Sequence, residues 1–248
     1  MELTKSKQIT EKINNKYMTT PITQTNKQEL SKEKIREIVA KRVVKEFKDG
    51  DVVTLGIGLP TAVANYIPDG LNIMFQSENG LLGIGKDQPA DKQDKRVINA
   101  GGGCVETVKG ACFYDSQMAF TLMRGGHIDV TVLGALQVDA EGNLASWMIP
   151  NKFVPGMGGS MDLVVGAKKV IIAMEHTSKG QVKIVQKCKL PLTAQKEVNL
   201  IITERCVFEV TSNGLLLTEI NPMFSLNDIK DSTEASFKVS PNLKQMEI

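Results

Sequence analysis

The sequence predicts an α/β fold: an open, mainly parallel β-sheet with helices on both faces and a small β-hairpin excursion. Two observations lead to this prediction. Short segments rich in valine and isoleucine alternate along the chain with segments of helical apolar spacing, which is typical of parallel sheets. Several strand segments show little polar alternation, as strands covered on both faces do.

The chain divides into two regions of unequal size. Residues 1–30 are polar and weakly patterned, which indicates an N-terminal extension. Residues 31–248 contain the strand and helix segments and are predicted to form one domain. The 248 residues are 42% hydrophobic and 23% charged, which is an ordinary globular composition and argues against wholesale disorder.

A helix opens the predicted domain. Ser31 is placed to cap it, the apolar residues between Ile35 and Phe47 share one face, and Gly50 suits a C-terminal stop.

Strands and helices then alternate. The predicted strands are DVVTLGIG, LNIMFQ, RVINA, HIDVTVLGALQV, KKVIIAM and VNLIIT. Further helices are predicted from Pro60 and over residues 114–123 and 159–166. Turn residues 139–143, between two apolar runs, predict the hairpin.

Charge and composition exclude several classes of function. Residues 51–248 carry 18 basic and 21 acidic groups, and aromatic residues are only 5% of the chain. A nucleic-acid-binding surface is therefore not expected. No apolar run approaches the roughly 18 residues that span a bilayer, and the N-terminus lacks an apolar signal core. We expect a cytoplasmic protein with no membrane contact.

The cysteines and histidines predict no metal site. The four cysteines contain no CxxC pair, and His127 and His176 are the only histidines, so no zinc-type spacing can be assembled. Reduced, inert thiols are expected, including Cys104 beside a glycine loop.

Glycine is concentrated in one part of the chain. Of the 21 glycines, 18 lie between Gly50 and Gly159, mostly in clusters after predicted strands. Such clusters serve either tight turns or a crevice in which backbone amides approach a ligand, and their number favours the crevice. None of them matches the dinucleotide or P-loop fingerprint.

The SENG segment at residues 77–80 is the candidate reactive site. Glu78 follows a predicted strand and precedes an Asn-Gly turn, so its carboxylate projects from the end of the strand. A carboxylate there is a general base, a metal ligand or a nucleophile, or it is solvated surface. The apolar neighbours on both sides favour a partly desolvated, reactive group.

Six motifs in order resemble one family. They are GIGLPTAVANYI, SENGLLGIG, NAGGG, MRGGHIDVTVLGALQVDAEGNLASWMIP, GMGGSMDLV and MEHTSKG. Together they resemble the 3-oxoacid coenzyme A transferase family, in particular the β subunit of its acetate or butyrate–acetoacetate members and the C-terminal half of its single-chain succinyl-CoA members. The match runs from about residue 32 to residue 248. Residues 101–103 depart from the single-chain members, which carry bulkier residues there.

The resemblance implies that Glu78 is the nucleophile. In this family the SENG glutamate forms an acyl-glutamyl anhydride and then a glutamyl-CoA thioester. Coenzyme A is then a substrate, and no permanently bound cofactor is expected. The GMGG motif implies that the Gly159 N–H is an oxyanion-hole donor, with Gly158 beside it; the alternative is that GMGG only opens the following helix.

The resemblance also implies substrate contacts and a partner. Residues of the loops around Glu78 are predicted to bind substrate or CoA: Asn79, Gly80, Asn99, Gly101 and Gly158. Asn79 and Asn99 each have a second interpretation, as residues that only shape turns. The family pairs this chain with an α subunit, so we expect an α₂β₂ assembly that acts on acetoacetate or another short carboxylate and on short-chain acyl-CoA.

Two other functions remain open from the residues. A sugar-phosphate isomerase would use Glu78 as a base and would need phosphate-binding cations, for which Lys86 and Arg124 are the candidates. A non-catalytic metabolite-binding subunit could share the scaffold. Arg124 and His127 suit a structural role better than substrate contact, and Trp147 is expected in the core or in a subunit contact.

Overall fold

A computed structural model describes residues 30–152, 154 and 156–247. The predicted N-terminal extension therefore lies outside the described residues, apart from Leu30. The helices are α1 (Lys32–Val44), α2 (Ser116–Arg124), α3 (Ser160–Gly166) and α4 (Leu226–Asp231), and a 3₁₀ helix covers Pro60–Tyr66. None of the described helices is long and apolar enough to cross a membrane.

Strands make up most of the fold. In chain order they are β1 (Val52–Leu55), β2 (Met74–Ser77), β3 (Leu81–Asp87), β4 (Val105–Phe113), β5 (Ile128–Leu133), β6 (Gln137–Asp139), β7 (Leu144–Ala145), β8 (Ala167–Ala173), β9 (Thr177–Ser178), β10 (Gln181–Val182), β11 (Ile184–Val185), β12 (Leu200–Ile202), β13 (Cys206–Thr211), β14 (Gly214–Ile220) and β15 (Phe237–Gln245).

A ten-stranded sheet forms the centre of the described chain, in the order β15-β14-β13-β12-β8-β5-β1-β2-β3-β4. Its middle strands, β12, β8, β5, β1 and β2, pair in parallel. Antiparallel pairing begins at β3 on one side and at β13 on the other. The predicted mainly parallel sheet is confirmed. Antiparallel pairs flank its parallel centre on both sides, and the edge strand β15 pairs in parallel with β14.

Hydrophobic clusters cover both faces of this sheet. Along β8, Ile171 and Ala173 belong to the cluster that contains α1, whereas Val170 and Ile172 belong to the cluster that contains residues of α2, α3 and α4. Successive strand residues point to opposite faces, so both faces of β8 are buried under helices. This explains why KKVIIAM lacks polar alternation and confirms helices on both faces.

The predicted hairpin is also present. β6 and β7 pair antiparallel, Gln137 with Ala145 and Val138 with Leu144. Asp139 organises the turn because its Oδ1 accepts hydrogen bonds from the N–H groups of Glu141 and Asn143. β11 adds to β6 in parallel, so the excursion is a small three-stranded sheet.

The first helix begins where the sequence predicts and ends earlier. Ser31 Oγ accepts a hydrogen bond from the Lys34 N–H at 3.2 Å, which confirms the N-cap. The prediction that Gly50 stops the helix is wrong, because α1 ends at Val44. Gly50 takes its positive φ of 87° in the turn before β1, where its N–H donates to the Asn72 carbonyl oxygen.

Two further differences concern strands. RVINA is not a strand: Ile98 makes only an isolated bridge with Cys104, because the chain turns back on itself over residues 99–103. Conversely, β3 lies in a segment that the sequence indicates only as a glycine cluster. Gly83 has a φ of 90° beside a register shift in its pairing with β4, so the strand is irregular there.

Candidate active site

The carboxyl ends of three parallel strands meet at one edge of the sheet. Glu78 follows β2, Gly56 follows β1 and Gly134 follows β5, and these strands are neighbours. A cavity of about 490 Å³ lies against these ends, and residues 156–160 line a further side. The position agrees with the rule that ligands of open α/β sheets bind beyond the carboxyl ends of the strands.

Glu78 sits in a tight hairpin loop between β2 and β3. Ser77 pairs with Leu81, so Glu78, Asn79 and Gly80 form the whole connection. Gly80 has a φ of 98°, and a Cβ there would overlap the carbonyl oxygen of Tyr114. Its N–H donates to the Ser77 oxygen and its oxygen accepts from the Tyr114 N–H, so the loop is fixed. Glycine is required at position 80, and the loop directs Glu78 towards the cavity.

The Glu78 carboxylate contacts the backbone before α3. Its Oε2 accepts a hydrogen bond from the Gly159 N–H at 3.0 Å. A Cβ at Gly159 would overlap the same oxygen, although the Gly159 φ of −85° suits any residue. Glycine is therefore needed at 159 for close approach of the carboxylate. Gly158 lies beside Oε1 with a φ of 52° and also lines the cavity.

The other predicted contact residues shape the loops around this pair. Asn79 is exposed and its Nδ2 donates to the Ile98 oxygen at 2.8 Å. The Asn99 Oδ1 accepts from the N–H groups of Gly101 and Gly103. Asn99 and Gly101 line a smaller cavity of about 30 Å³. The large cavity therefore brings together Glu78, Gly158 and Gly159, and the remaining predicted residues stand behind or beside it.

Polar residues under the cavity were missed by sequence reasoning. Gln76 and Thr54 are adjacent across β2 and β1, and both are buried. Thr54 Oγ1 donates to Thr131 Oγ1 at 2.8 Å, and Gln76 Nε2 donates to the Ser77 oxygen. Gln76 Oε1 and the Tyr114 hydroxyl are both buried, and neither has a hydrogen-bond partner among the described residues. The signal was a glutamine at the end of an apolar strand, immediately before SENG.

Trp147 is half-buried and lies in the wall of the cavity rather than in the core; the alternative expectation, a subunit contact, stays a prediction. Its Nε1 donates to the Leu192 oxygen at 3.3 Å, so the indole ring is held in one orientation. The sequence gives only an apolar run at this position. The placement depends on the small sheet that contains β7.

Arg124 and His176 lie outside the cavity lining. Arg124 Nε donates to Asp162 Oδ1 at 2.6 Å, and the guanidinium lies over the Phe120 ring. This ties α2 to α3 and favours the structural interpretation. His176 is fully buried between the hydroxyls of Thr203 and Thr233. Burial lowers the pKa of His176 to about 3, so its ring is neutral at physiological pH.

Thiols and metal-ligating groups do not add to the site. Burial raises the pKa of the Cys188 and Cys206 thiols, so both stay protonated. Within the described ranges, no three His, Cys, Asp or Glu side chains cluster as a metal site would require.

Comparisons with known proteins agree with this geometry. Residues 36–232 match the family model described as Coenzyme A transferase. The chain is 52% identical over 214 residues to the β subunit of the acetate CoA-transferase of Haemophilus influenzae, covering 86% of this chain and 96% of that protein. It is 50% identical over 206 residues to the B subunit of the succinyl-CoA:3-ketoacid coenzyme A transferase of Helicobacter pylori, covering 83% and 99%.

One solved structure shows the same fold in a longer chain. The acyl-CoA transferase YdiF apoenzyme of Escherichia coli O157:H7 superimposes with a TM-score of 0.70 at 25% identity. The alignment covers 90% of the present chain and 45% of the YdiF chain. The present chain therefore spans less than half of that protein.

Proposed function

This chain belongs to the coenzyme A transferase family, and from that premise we propose that it is the nucleophile-bearing β subunit of a short-chain acyl-CoA transferase. The proposed reaction moves CoA between a short-chain acyl-CoA and acetoacetate or another short carboxylate. The observation that carries the proposal is the Glu78 carboxylate, held by the Gly159 N–H in a cavity at the carboxyl ends of the parallel strands.

The reaction proceeds through covalent bonds to Glu78. A carboxylate oxygen of Glu78 attacks the thioester carbonyl, the carbon–sulfur bond breaks, and CoA thiolate leaves an acyl-glutamyl anhydride. The thiolate then attacks the glutamyl carbonyl, which releases the donor acid as its carboxylate and leaves a glutamyl-CoA thioester. The acceptor carboxylate reverses both steps and restores Glu78. Two easier exchanges replace one difficult exchange, and no net proton is transferred.

Gly159 supplies the proposed oxyanion donor. Its N–H already touches Oε2 of Glu78, so the same donor faces the negative oxygen that develops when a nucleophile attacks the glutamyl carbonyl. A backbone donor positioned before the reaction needs no reorganisation, and removing one such donor typically costs about 10²–10³ in rate. The absence of a side chain at Gly159 is what lets the carboxylate come this close.

The remaining predicted contacts divide into two groups. Gly158 lines the cavity and is proposed to contact the thioester end of CoA. Asn79, Gly80, Asn99 and Gly101 are proposed to support CoA binding through the two loops that they shape, 78–80 and 98–103.

An α subunit is proposed to complete the site. Relatives of similar length are named as β or B subunits, and the solved YdiF chain is more than twice as long as the part matched here. We propose an α₂β₂ assembly in the cytoplasm, with residues 31–248 as the β-subunit domain. The sugar-phosphate isomerase alternative is weakened because Lys86 and Arg124 are absent from the cavity lining.

Chemical trapping tests the proposed mechanism. The chain is co-expressed with a candidate α subunit and incubated with acetoacetyl-CoA, then treated with sodium borohydride. Reduction of a glutamyl thioester to an alcohol lowers the mass of the peptide that contains Glu78. An unchanged peptide from an enzyme with measurable transferase activity would rule out the covalent mechanism, and labelling at another residue would reassign the nucleophile.

A further inference from the structure

The Gly159 N–H that contacts Glu78 belongs to the start of a short helix. α3 is seven residues long, and Gly159 stands at its N-cap without a side chain that could cap it. The direction of the Gly159 N–H therefore depends on what packs against this end of α3. Misplacement of a reacting group by about 1 Å can cost about 10² in rate, so this packing bears on the reaction.

α2 packs against both ends of α3. At the C-terminal end, a Cβ on Gly166 would overlap the Met123 carbonyl oxygen, so the two backbones lie in close contact. At the N-terminal end, Phe120 Cζ lies 3.2 Å from the point that a Cβ on Gly159 would occupy. α3 is thus seated on α2 at both ends, and Phe120 is the residue of α2 that meets Gly159.

Phe120 also lies beside the proposed nucleophile. The Glu78 Cδ atom lies 3.2 Å from the same point at Gly159, so the ring and the carboxylate both adjoin Gly159. The ring approaches Gly159 through Cζ, an atom of its edge, and an aromatic edge carries partial positive charge. The edge therefore suits a neighbouring carboxylate, whereas the negative face of the ring would repel it.

The Phe120 ring is itself held in place. It packs against the hydrophobic cluster that contains Met123 and Leu163, and the Arg124 guanidinium lies 5.5 Å from the ring centroid. Arg124 Nε donates to Asp162 Oδ1 at 2.6 Å, in the first turn of α3. The ring is therefore fixed between the two helices.

The start of α2 is also attached to the loop that carries Glu78. The Tyr114 N–H donates to the Gly80 oxygen at 2.9 Å. Asp115 caps α2 with its side chain, and Phe120 follows in the second turn of the same helix. One continuous segment therefore connects the Glu78 loop with the helix that supports the backbone donor.

From these contacts we infer that Phe120 is a positioning residue, which holds the Glu78 carboxylate and the Gly159 N–H together for the proposed reaction. Its ring fills the space into which α3 or the carboxylate would otherwise move. Among the described residues that line the cavity, Phe120 is absent, and it lies outside the six motifs of the family resemblance. The inference rests on the proposed function, because Glu78 is taken as the nucleophile.

Phe120→Ala in the assembled complex is the first test. Loss of the ring should lower kcat for CoA transfer about 10²-fold. The KM for acyl-CoA should change less than about threefold, because an interaction that acts on the nucleophile and not on bound substrate moves kcat alone. Phe120→Leu keeps most of the apolar volume and should lower kcat only about tenfold.

The outcome that overturns the inference is a kcat within about threefold of the wild-type value in Phe120→Ala. The same limit applies to Phe120→Leu if the alanine variant does not assemble with the α subunit. A rise in KM that accounts for the whole loss of kcat/KM would also overturn it, because Phe120 would then act on substrate binding.

Leu122→Ala is the matched control for a loss of apolar volume from α2. Leu122 is also partly buried. It lies on the other side of the helix from Phe120, because successive helical residues are about 100° apart. Its kcat should stay within about threefold of the wild-type value. A loss as large as that of Phe120→Ala would assign the effect to general loosening of α2 and would overturn the inference.

A double-mutant cycle with Gly159→Ala tests whether Phe120 acts through the backbone donor. Gly159→Ala already forces the carboxylate away from its donor, and residues that act through one contact have non-additive effects. In that background Phe120→Ala should lower kcat by less than about tenfold instead of about 10²-fold. A merely structural residue would lower kcat by the same factor in both backgrounds, and that result would overturn the inference.

Borohydride trapping in the same complexes separates the inference from the proposed function. A Glu78 thioester in the wild type, together with additive effects in the cycle, defeats the positioning role and leaves the mechanism standing. No Glu78 thioester after incubation with acetoacetyl-CoA, in an active wild-type complex, defeats the proposed function and the inference with it.

Discussion

Two glutamates lie beyond the ends of parallel strands in this fold, and their surroundings differ. Glu78 follows β2 and accepts one backbone hydrogen bond, from Gly159 at 3.0 Å. Glu204 lies just after β12 and accepts one from the His176 N–H at 2.8 Å, but Arg205 Nε also donates to it at 3.0 Å. Glu204 is 4% exposed, whereas Glu78 is only partly buried and faces a cavity.

The difference shows what turns a carboxylate at a strand end into a reactive group. A backbone N–H contact is common to both residues, so that contact alone does not identify a nucleophile. Among the described residues, Glu78 has no cationic partner, and its side chain lines the cavity. Both carboxylate oxygens of Glu204 accept hydrogen bonds from other residues of the chain, so Glu204 holds the loops after β8 and β12 together.

The largest expected effect comes from exchanging each glutamate for glutamine. Glu78→Gln removes the nucleophile and should lower kcat at least about 10⁴-fold while the fold stays intact. Glu204→Gln should change kcat less than about threefold but lower the free energy of unfolding by about 2 kcal/mol, because a buried charged hydrogen bond is weakened. Steady-state kinetics and urea unfolding measure both. Comparable loss of kcat in the two variants would remove the distinction between them.

The hydrogen bond from a backbone N–H to Glu78 is tested by substitution of its donor, Gly159. Gly159→Ala places a Cβ where Oε2 of Glu78 lies, so the carboxylate must move away from its donor. We expect kcat to fall about 10²–10³-fold. Gly134→Ala is the control, because its Cβ would meet nothing within 4 Å and its φ is not positive; it should lose less than about tenfold. Similar losses in both variants would show that the effect is general crowding.

The region around Glu204 predicts a dependence of stability on pH. The pKa of His176 falls from 6.5 to about 3 in the folded protein because the ring is buried. Between these two values the unfolded chain binds a proton that the folded protein does not bind. The stability due to neutral His176 is complete above about pH 6.5. It decreases as the pH falls towards 3, by about 1.4 kcal/mol per pH unit.

The matching variant is His176→Gln, which cannot take up this proton. Urea unfolding of wild type and variant between pH 7 and pH 4 gives the difference in slope. As the pH falls, the free energy of unfolding of the wild type should decrease faster than that of the variant, by about 1.4 kcal/mol per pH unit, the slope for one bound proton. Parallel curves would mean that His176 is protonated in the folded protein or does not contribute.

Much of the fold could be predicted because strands that are buried on both faces have continuous apolar sequences. β1, β5 and β8 lie inside the sheet under helices, and their valine and isoleucine runs show it. β4 was missed because it is an edge strand whose side chains are mostly exposed, so it has no apolar pattern. β3 was missed because Gly83 and Gly85 interrupt it, and its place is set by pairing with distant residues.

The site divides in the same way. Glu78 and Gly159 stand in local motifs and could be singled out, although 81 positions separate them. The contact between them depends on the order of β2, β1 and β5 in the sheet, which no short pattern contains. Trp147 was not identified as a cavity residue because it enters the site through tertiary packing alone. Gln76 lies two positions before Glu78 at the end of β2, so its position indicated the site but was not used.

Isotope transfer tests covalent participation of Glu78 most directly. In the proposed sequence, one oxygen of the acceptor carboxylate becomes the bridging oxygen of the anhydride and stays on Glu78 when thiolate attacks the acyl carbonyl. After turnover with acetoacetate labelled in both carboxylate oxygens with a heavy isotope, mass spectrometry should find the label in the peptide that contains Glu78. Transfer of CoA to labelled acetoacetate with no heavy oxygen in that peptide would contradict the account.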